Sequence, residues 1–198
     1  MTRRLTIASL LLILAFTASA DTLDLIPWSA GSPLSWDLFR GTPPPNAARL
    51  SEAAAIDMRI EWHVRYVLRP SEAGSGWVGT VEGVTVTNTM DPTLSWVLLS
   101  RASDRILRHE QAHFDLNEVY RRRLEAELAG LSARSDTVER ARATLEEKIH
   151  SVAEEILDRL SAMQERYDDE TKHGTDAEAQ EGWEEMIATW LDGEATPP

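Results

Sequence analysis

The sequence predicts an α+β fold, in which a small antiparallel sheet packs on one helix and a helical C-terminal half follows. Residues 58–68 alternate between apolar and polar side chains, which is the pattern of a half-buried strand. Residues 106–128 and 137–167 repeat their apolar side chains every three or four positions, the period of an amphipathic helix. The strand pattern precedes both helical patterns, so we expect sheet and helices to occupy separate parts of one domain.

The first twenty residues have the pattern of a secretory signal peptide. Arginines stand at positions 3 and 4, an apolar run follows from Leu5 to Phe16, and Ala-Ser-Ala ends at Ala20. The apolar run is too short to span a membrane, so no stable membrane insertion is expected after cleavage. We expect residues 1–20 to be removed and residues 21–198 to form a single exported domain, periplasmic or extracellular.

The chain is strongly acidic. It has 33 aspartates and glutamates against 20 lysines and arginines, a formal net charge of −13. Such a charge argues against nucleic acid or an anionic membrane as a partner. The sequence contains no cysteine, so the exported protein has no disulfides. Its oligomeric state is not predictable from these features.

Residues 21–45 are rich in proline and glycine and are expected to be extended. Three aromatic residues in this segment, Trp28, Trp36 and Phe39, are the expected anchors onto a core. Residues 71–76 form a predicted hairpin loop between the strand at 58–68 and a return strand. The return strand covers Trp77–Asn88, either as one strand or as two short ones broken near Gly83. Residues 93–99 form a short apolar element of unpredicted type.

Three helices are predicted after residue 102. Ser103 or Asp104 caps the first of them. The second covers residues 137 to about 167, and the third covers about 176 to 191. We interpret His63 and His150 as surface residues, because both lie away from the apolar stripes of their elements.

The first helix contains His-Glu-x-x-His at residues 109–113. On a helix, His109 and His113 project from one face, one turn apart, so two imidazole nitrogens can bind one Zn²⁺. Glu110 adjoins this pair and can remove the proton of a zinc-bound water as general base. Asp115 and Glu118 point elsewhere on the helix and are poor ligand candidates. A solvated helix with two functionless histidines is the alternative interpretation, and the amphipathic context argues against it.

A catalytic zinc needs a third protein ligand and an open position for water. The polar cluster at residues 167–175 closes the second helix, and its glycine permits a turn back over the site. We expect His173 to be the third ligand, with Glu170 and Asp168 as alternatives. The Tyr167 hydroxyl is a candidate donor to a developing oxyanion.

Four motifs stand out together in the chain: His-Glu-Gln-Ala-His-Phe-Asp at 109–115, Tyr-Asp at 167–168 with Thr-x-His-Gly at 171–174, Gln-x-x-Trp at 180–183, and Trp-Asp-x-Phe-Arg-Gly at 36–41. With these motifs the chain resembles a bacterial family of predicted secreted zinc-dependent proteases, long catalogued as a domain of unknown function. The resemblance covers nearly all of the exported chain. It implies a zincin-like fold, with His109, His113 and His173 as zinc ligands and Glu110 as the catalytic carboxylate.

The sequence and this resemblance together predict an exported zinc metalloprotease with one Zn²⁺ per chain and a peptide or protein as substrate. In zincin-like folds an edge strand beside the cleft holds an extended peptide, and Trp77–Asn88 is the strand expected to do so. The alternative is a non-catalytic periplasmic or envelope protein that binds a structural zinc. A metal-free helical interaction module is a third possibility.

Overall fold

The computed structural model describes residues 24–49, 52–72 and 74–197, and the predicted signal peptide lies outside these residues. Their fold is α+β, a small antiparallel sheet with three helices. The strands are β1 (Ile26–Pro27), β2 (Ala54–Ala55), β3 (Met58–Pro70), β4 (Trp77–Met90), β5 (Trp96–Val97) and β6 (Ser132–Ser135). The helices are α1 (Asp104–Ala129), α2 (Val138–Thr171) and α3 (Ala177–Leu191). Within the described ranges, no helix is both long and apolar enough to cross a membrane.

The main sheet is built on the long hairpin of β3 and β4. The alternation that predicted β3 is confirmed, because its apolar side chains pack against the main core. The return strand is continuous from Trp77 to Met90 and is not broken near Gly83. One extra residue, Glu82, forms a bulge where the register shifts between Arg65 and Tyr66, which explains the irregular pattern there.

β4 lies in the middle of the main sheet. It pairs with β3 along one side, and with β1 and β6 at the two ends of its other side. The expectation that residues 77–88 form an edge strand beside the cleft is therefore wrong. β6 was not predicted, because its four residues carry no apolar alternation and are recognisable as a strand only by their pairing with Trp77–Thr80.

The three predicted helices are confirmed, with one changed boundary that affects the site. Ser103 caps α1 by accepting a hydrogen bond from the Ile106 amide, and Thr137 and Asp176 cap α2 and α3 in the same way. α2 continues one turn beyond the predicted end at Tyr167, to Thr171. Asp168 is consequently a helical residue with a defined direction rather than part of a loop.

Two clusters of buried side chains hold the elements together. The larger lies between the main sheet and the helices, where α1 packs against β4, α2 and α3. The smaller joins the N-terminal segment to α1, and Phe39, Trp28 and Trp36 all belong to it or pack against it. The prediction that these aromatic residues anchor the extended segment is confirmed.

The segment at 93–99 includes β5, which pairs with β2 to form a separate two-stranded ribbon. A buried hydrogen-bond network fastens this ribbon to the start of β3. Ser95 Oγ donates to the Asp91 carbonyl and accepts the Asp57 amide at 2.9 Å, while Asp91 also binds the Arg59 guanidinium at 2.8 Å. The network fixes the backbone at residues 54–58, which is one wall of the cleft described next.

Candidate metal centre

A cleft of about 300 Å³ opens between α1, the end of α2 and the backbone at residues 52–58. α1 contributes His109, Glu110 and His113, which are all buried because this face of the helix turns towards the protein interior. α2 contributes Asp168 from its last turn, and His173 lies just beyond the end of that helix. Two elements distant in sequence thus supply the polar side chains of one cleft.

Three ligand-type atoms converge in this cleft. His109 Nε2 lies 3.0 Å from Asp168 Oδ1, and His113 Nε2 lies 3.1 Å from the same oxygen. The two Nε2 atoms are 3.1 Å apart. In the described part of the chain, these three residues form a group that could hold a metal ion.

Gln164 determines which nitrogen of His113 carries the proton. Its amide nitrogen donates to the His113 carbonyl oxygen at 3.0 Å, and a carbonyl oxygen can only accept. Its amide oxygen must therefore face His113 Nδ1, 2.6 Å away, and accept a hydrogen bond from it. Neutral His113 then carries its proton on Nδ1, and its Nε2 presents a bare lone pair to the cleft.

Gln180 does the same for His109. The Gln180 amide nitrogen donates to the Glu184 carboxylate at 2.9 Å, so its oxygen faces His109 Nδ1 at 3.2 Å. Gln180 is fully buried and has no other orientation that satisfies both groups. His109 Nε2, like that of His113, is then an unprotonated acceptor.

The donor set fits a divalent cation. Two imidazole nitrogens and a carboxylate oxygen meet at one point, an arrangement that positive charge stabilises. In the metal-free protein a proton on a histidine supplies that charge, since contacts with Asp168 raise the pKa of His113 despite its burial, and a divalent cation would replace the proton. The separations of 3.0–3.1 Å are close to the roughly 3.4 Å that Zn–ligand bonds of about 2.1 Å give at tetrahedral angles. The glutamines behind both histidines are the hydrogen-bond partners that orient metal ligands in proteins.

Glu110 lies beside this group as a buried carboxyl. It is only 3 % exposed, and burial raises its pKa to about 7, against the lowering effect of the His113 charge. One of its oxygens, Oε2, accepts a hydrogen bond of 3.0 Å from the Ile56 amide on the opposite wall. The side chain is thus held in the cleft with a pKa suited to accepting and releasing a proton near neutral pH.

The structure brings Asp168, one of the two alternatives to His173, into the group with the two histidines. His173 lines the cleft, and its Nδ1 lies 3.2 Å from Asp168 Oδ1, but it does not belong to the group. Glu170 points away and binds Arg166 and the Trp183 indole. Contacts with His109 and His113 lower the pKa of Asp168 despite its burial, so this carboxylate is ionised.

Tyr167 is placed behind the histidines rather than in the cleft. Its side chain is fully buried, its ring stacks on His109, and its hydroxyl donates to Gln180 Oε1 at 3.0 Å. The hydroxyl also contacts the His109 carbonyl. This placement supports a role in positioning His109 and does not support the predicted role of donor to an oxyanion.

The remaining site-related predictions agree with the structure. Asp115 and Glu118 lie off the ligand face: Asp115 accepts hydrogen bonds from Trp28 and Gln111, and Glu118 pairs with two arginines. His63 and His150 are exposed, as predicted. Gln164 and Gln180 were not predicted as site residues. Gln164 precedes Asp168 by four positions, so the helical period of α2 could have placed it on the ligand face.

The turn after α2 has an unusual backbone. Lys172, His173 and Gly174 all have positive φ angles, of 52°, 51° and 74°. A Cβ at Gly174 would lie 2.8 Å from His109 Cβ, so only glycine lets the turn pass this close to the ligand. The turn places His173 in the lining of the cleft and Gly174 directly against His109.

We expect Gly174→Ala to weaken metal binding, because the added methyl displaces His109. The matched control is Gly193→Ala, which has a similar φ of 77° but no atom within 4 Å of the added methyl. Both changes should cost about 1 kcal/mol of stability from the left-handed backbone. Only Gly174→Ala should lower metal affinity, measured by competition with a fluorescent chelator. Equal affinities in the two variants would contradict the contact.

A family model described as "Bacterial protein of unknown function (DUF922)" matches residues 38–174. The match begins at the N-terminal anchoring segment and ends at Gly174, so it includes all the ligand-type residues described above. No curated protein and no solved structure matches the chain at a significant level. Since the family model covers more than half of the sequence, this chain belongs to the DUF922 family of bacterial proteins.

Proposed function

We propose that this protein is an exported zinc-dependent peptidase with a zincin-like active site. His109, His113 and Asp168 would hold the metal, and Glu110 would act as general base. The observation that carries the proposal is the convergence of two lone pairs, whose tautomers are set by Gln164 and Gln180, with an ionised carboxylate beside a buried carboxyl. A site that only bound metal would not need the buried Glu110 carboxyl.

The ligand chemistry favours zinc among the hard and borderline cations. Imidazole with one carboxylate suits zinc, whereas calcium and magnesium prefer all-oxygen sites. The same two-histidine, one-carboxylate set also occurs in non-haem iron enzymes. Glu110 is the feature that favours hydrolysis, because a general base that takes a proton from water is needed for amide cleavage.

The residues of this chain would divide the reaction as follows. When bound, zinc supplies Lewis acidity that polarises the carbonyl of the scissile amide. Glu110, with one oxygen held by the Ile56 amide, accepts the proton of the attacking water and passes it to the leaving amine. Gln164 and Gln180 keep the histidine rings in position throughout, since each is tied to a second protein group.

The alternative is a structural zinc in a non-catalytic envelope protein. The observation that favours it is the approach of His173 to Asp168, at 3.2 Å, on the cleft side of the ligand group. If His173 moved in as a fourth ligand, the site would be closed to water, as structural zinc sites are. The effect of losing Glu110, argued in the Discussion, separates the two functions.

The first experiment is metal analysis of purified residues 21–198 by mass spectrometry after reconstitution with zinc, iron and manganese in competition. We expect about one zinc per chain and, with that zinc, hydrolysis of peptides in a mixed library. Iron in preference to zinc would redirect the proposal to oxygen chemistry. Absence of any bound metal would overturn it.

Export is part of this proposal and rests on the sequence of residues 1–20. The intact mass of the protein recovered from its host's envelope or medium should correspond to a chain beginning at Asp21. A mass that includes residues 1–20 would contradict cleavage.

A further inference from the structure

One side of β3 is free along the described residues. Asn88 of β4 uses its carbonyl to accept a hydrogen bond from the amide of Trp28, the residue that follows β1, so its backbone groups point away from β3. In an antiparallel pair, its partner Ile60 then points its own amide and carbonyl in the opposite direction, away from β4. Because strands repeat every two residues, Met58 and Trp62 present their backbone groups on the same free side.

This free edge begins at the proposed catalytic carboxylate. Ile56, two residues before Met58, turns its amide to the same side and donates it to Glu110 Oε2 at 3.0 Å. Asp57 lies between Ile56 and Met58, and its carbonyl points the other way, where it accepts a hydrogen bond from the amide of Asp91, the residue after β4. Successive residues therefore turn their backbone groups to opposite sides of the strand. The row of unpaired backbone groups therefore runs directly out of the cleft.

A second depression, of about 320 Å³, lies beside this edge between β3 and α2. Four apolar residues line it, Met58 and Ile60 from β3 and Leu157 and Leu160 from α2, together with the uncharged polar residues Asn117, Ser161 and Gln164. Met58 and Gln164 line both this groove and the cleft, so the two are continuous. Among the described residues, none that lines the groove carries a charge.

We propose that this groove is a substrate subsite, which takes an apolar side chain the size of leucine or phenylalanine from an extended peptide paired with the free edge of β3. The inference rests on the proposed peptidase function and gives it a substrate class. The peptide backbone would satisfy the amides and carbonyls of Met58 and Ile60, as strand addition does elsewhere. One side chain of the peptide would enter the groove, at a fixed distance from the bond that is cleaved near Glu110.

The physical basis for the preference is the uncharged wall of the groove. A charged side chain placed there would lose its hydration with no partner in return. An apolar side chain of leucine size would bury its surface against four apolar residues. Pockets of this kind distinguish side chains that differ by a few methylenes by about tenfold or more in kcat/KM.

The test uses short blocked peptides that vary one position at a time around the cleaved bond. For the wild type we expect one position at which leucine exceeds alanine by about tenfold in kcat/KM. Ser161→Trp fills the groove from an exposed position on α2 and should abolish that preference while alanine peptides are still cleaved. Ser151→Trp, an exposed serine of the same helix away from the groove, should leave the preference intact.

Cleavage without a leucine preference at any position, or a preference that survives in Ser161→Trp, would overturn the subsite and leave the peptidase function standing. The opposite case is a groove that binds peptide although no peptide is hydrolysed. It is tested by crosslinking peptides that carry a photoreactive leucine analogue to the metal-loaded wild type. Crosslinks at Leu157 or Ser161, lost in Ser161→Trp, would support the subsite even if no peptide were hydrolysed. Crosslinks that map elsewhere would reject it.

Discussion

Replacement of Glu110 by glutamine is expected to reduce peptide hydrolysis by a factor of about 10²–10⁴, which is the usual contribution of a general base. Glutamine has the same shape and can still accept the Ile56 amide, so the cleft wall should keep its position. It cannot take a proton from water. The metal ligands are unchanged, and we therefore expect the zinc content to equal that of the wild type. Turnover of the best library peptide and metal analysis measure the two properties together.

Glu118→Gln is the matched control, because Glu118 is also a buried glutamate of α1. It binds Arg121 and Arg122 on a face of the helix remote from the cleft. Loss of its charge should lower the melting temperature, since two guanidinium groups lose their ionic partner, yet kcat should stay near the wild-type value. A loss of activity in both variants would mean that the assay reports folding rather than catalysis.

Retention of full turnover by Glu110→Gln with zinc bound would reject the proposed mechanism. Retention of zinc with no peptide hydrolysis in the wild type itself would favour the structural-zinc alternative. In the metal-free protein, Glu110→Gln should raise stability at neutral pH under either function, because it removes a carboxyl whose burial raises its pKa to about 7 and which is therefore costly to ionise.

Most of the fold was predictable because its elements carry strong periodic patterns. The alternation in β3, and the three-to-four repeat in α1, α2 and α3, reflect one buried face each, and burial of that face is what forms the element. β6 and β2 have no such pattern. They exist because β4 offers β6, and β5 offers β2, a backbone partner, a tertiary contact that local sequence does not record.

The order of the strands was also not predictable from pattern. β3 and β4 have similar lengths, 13 and 14 residues, and the pairing of β1 and β6 with β4 makes β4 central and β3 an edge. Those two partners contribute few residues each. The strand expected to hold substrate was therefore wrongly chosen, whereas the expectation of an antiparallel sheet was confirmed.

At the site, His109, Glu110 and His113 could be identified because four-residue spacing on one helix determines their relative positions. The residues that complete the group depend on where α2 ends. The sequence pattern of apolar residues stops at Tyr167, but the helix continues to Thr171, since its last turn is stabilised by hydrogen bonds and not by burial alone. Asp168 thereby points into the cleft, and His173 is carried past it by the turn at residues 172–174.

Replacement of Asp168 by asparagine is expected to weaken zinc binding by more than about 100-fold, because it removes the one negative ligand in a group of two neutral histidines. Such a loss lowers the zinc-dependent stabilisation by about 2.7 kcal/mol at a fixed, saturating zinc concentration. The measurement is the rise in melting temperature on adding zinc, together with a direct titration against a chelator. Asp169→Asn, an exposed neighbour on the same turn, is the control for loss of one charge.

The informative quantity is the rise in melting temperature on adding zinc, since the melting temperature of the metal-free protein should also change. The pKa of Asp168 is lowered in the folded state, so its ionised form stabilises the fold at neutral pH and that contribution is lost as the pH falls through the lowered value. Asparagine removes it, and the metal-free melting temperature should fall. His173→Ala should keep most of the zinc affinity, since His173 contacts Asp168 but lies outside the ligand group. If His173→Ala instead abolished zinc binding while Asp168→Asn retained it, His173 would be the third ligand that the sequence predicted.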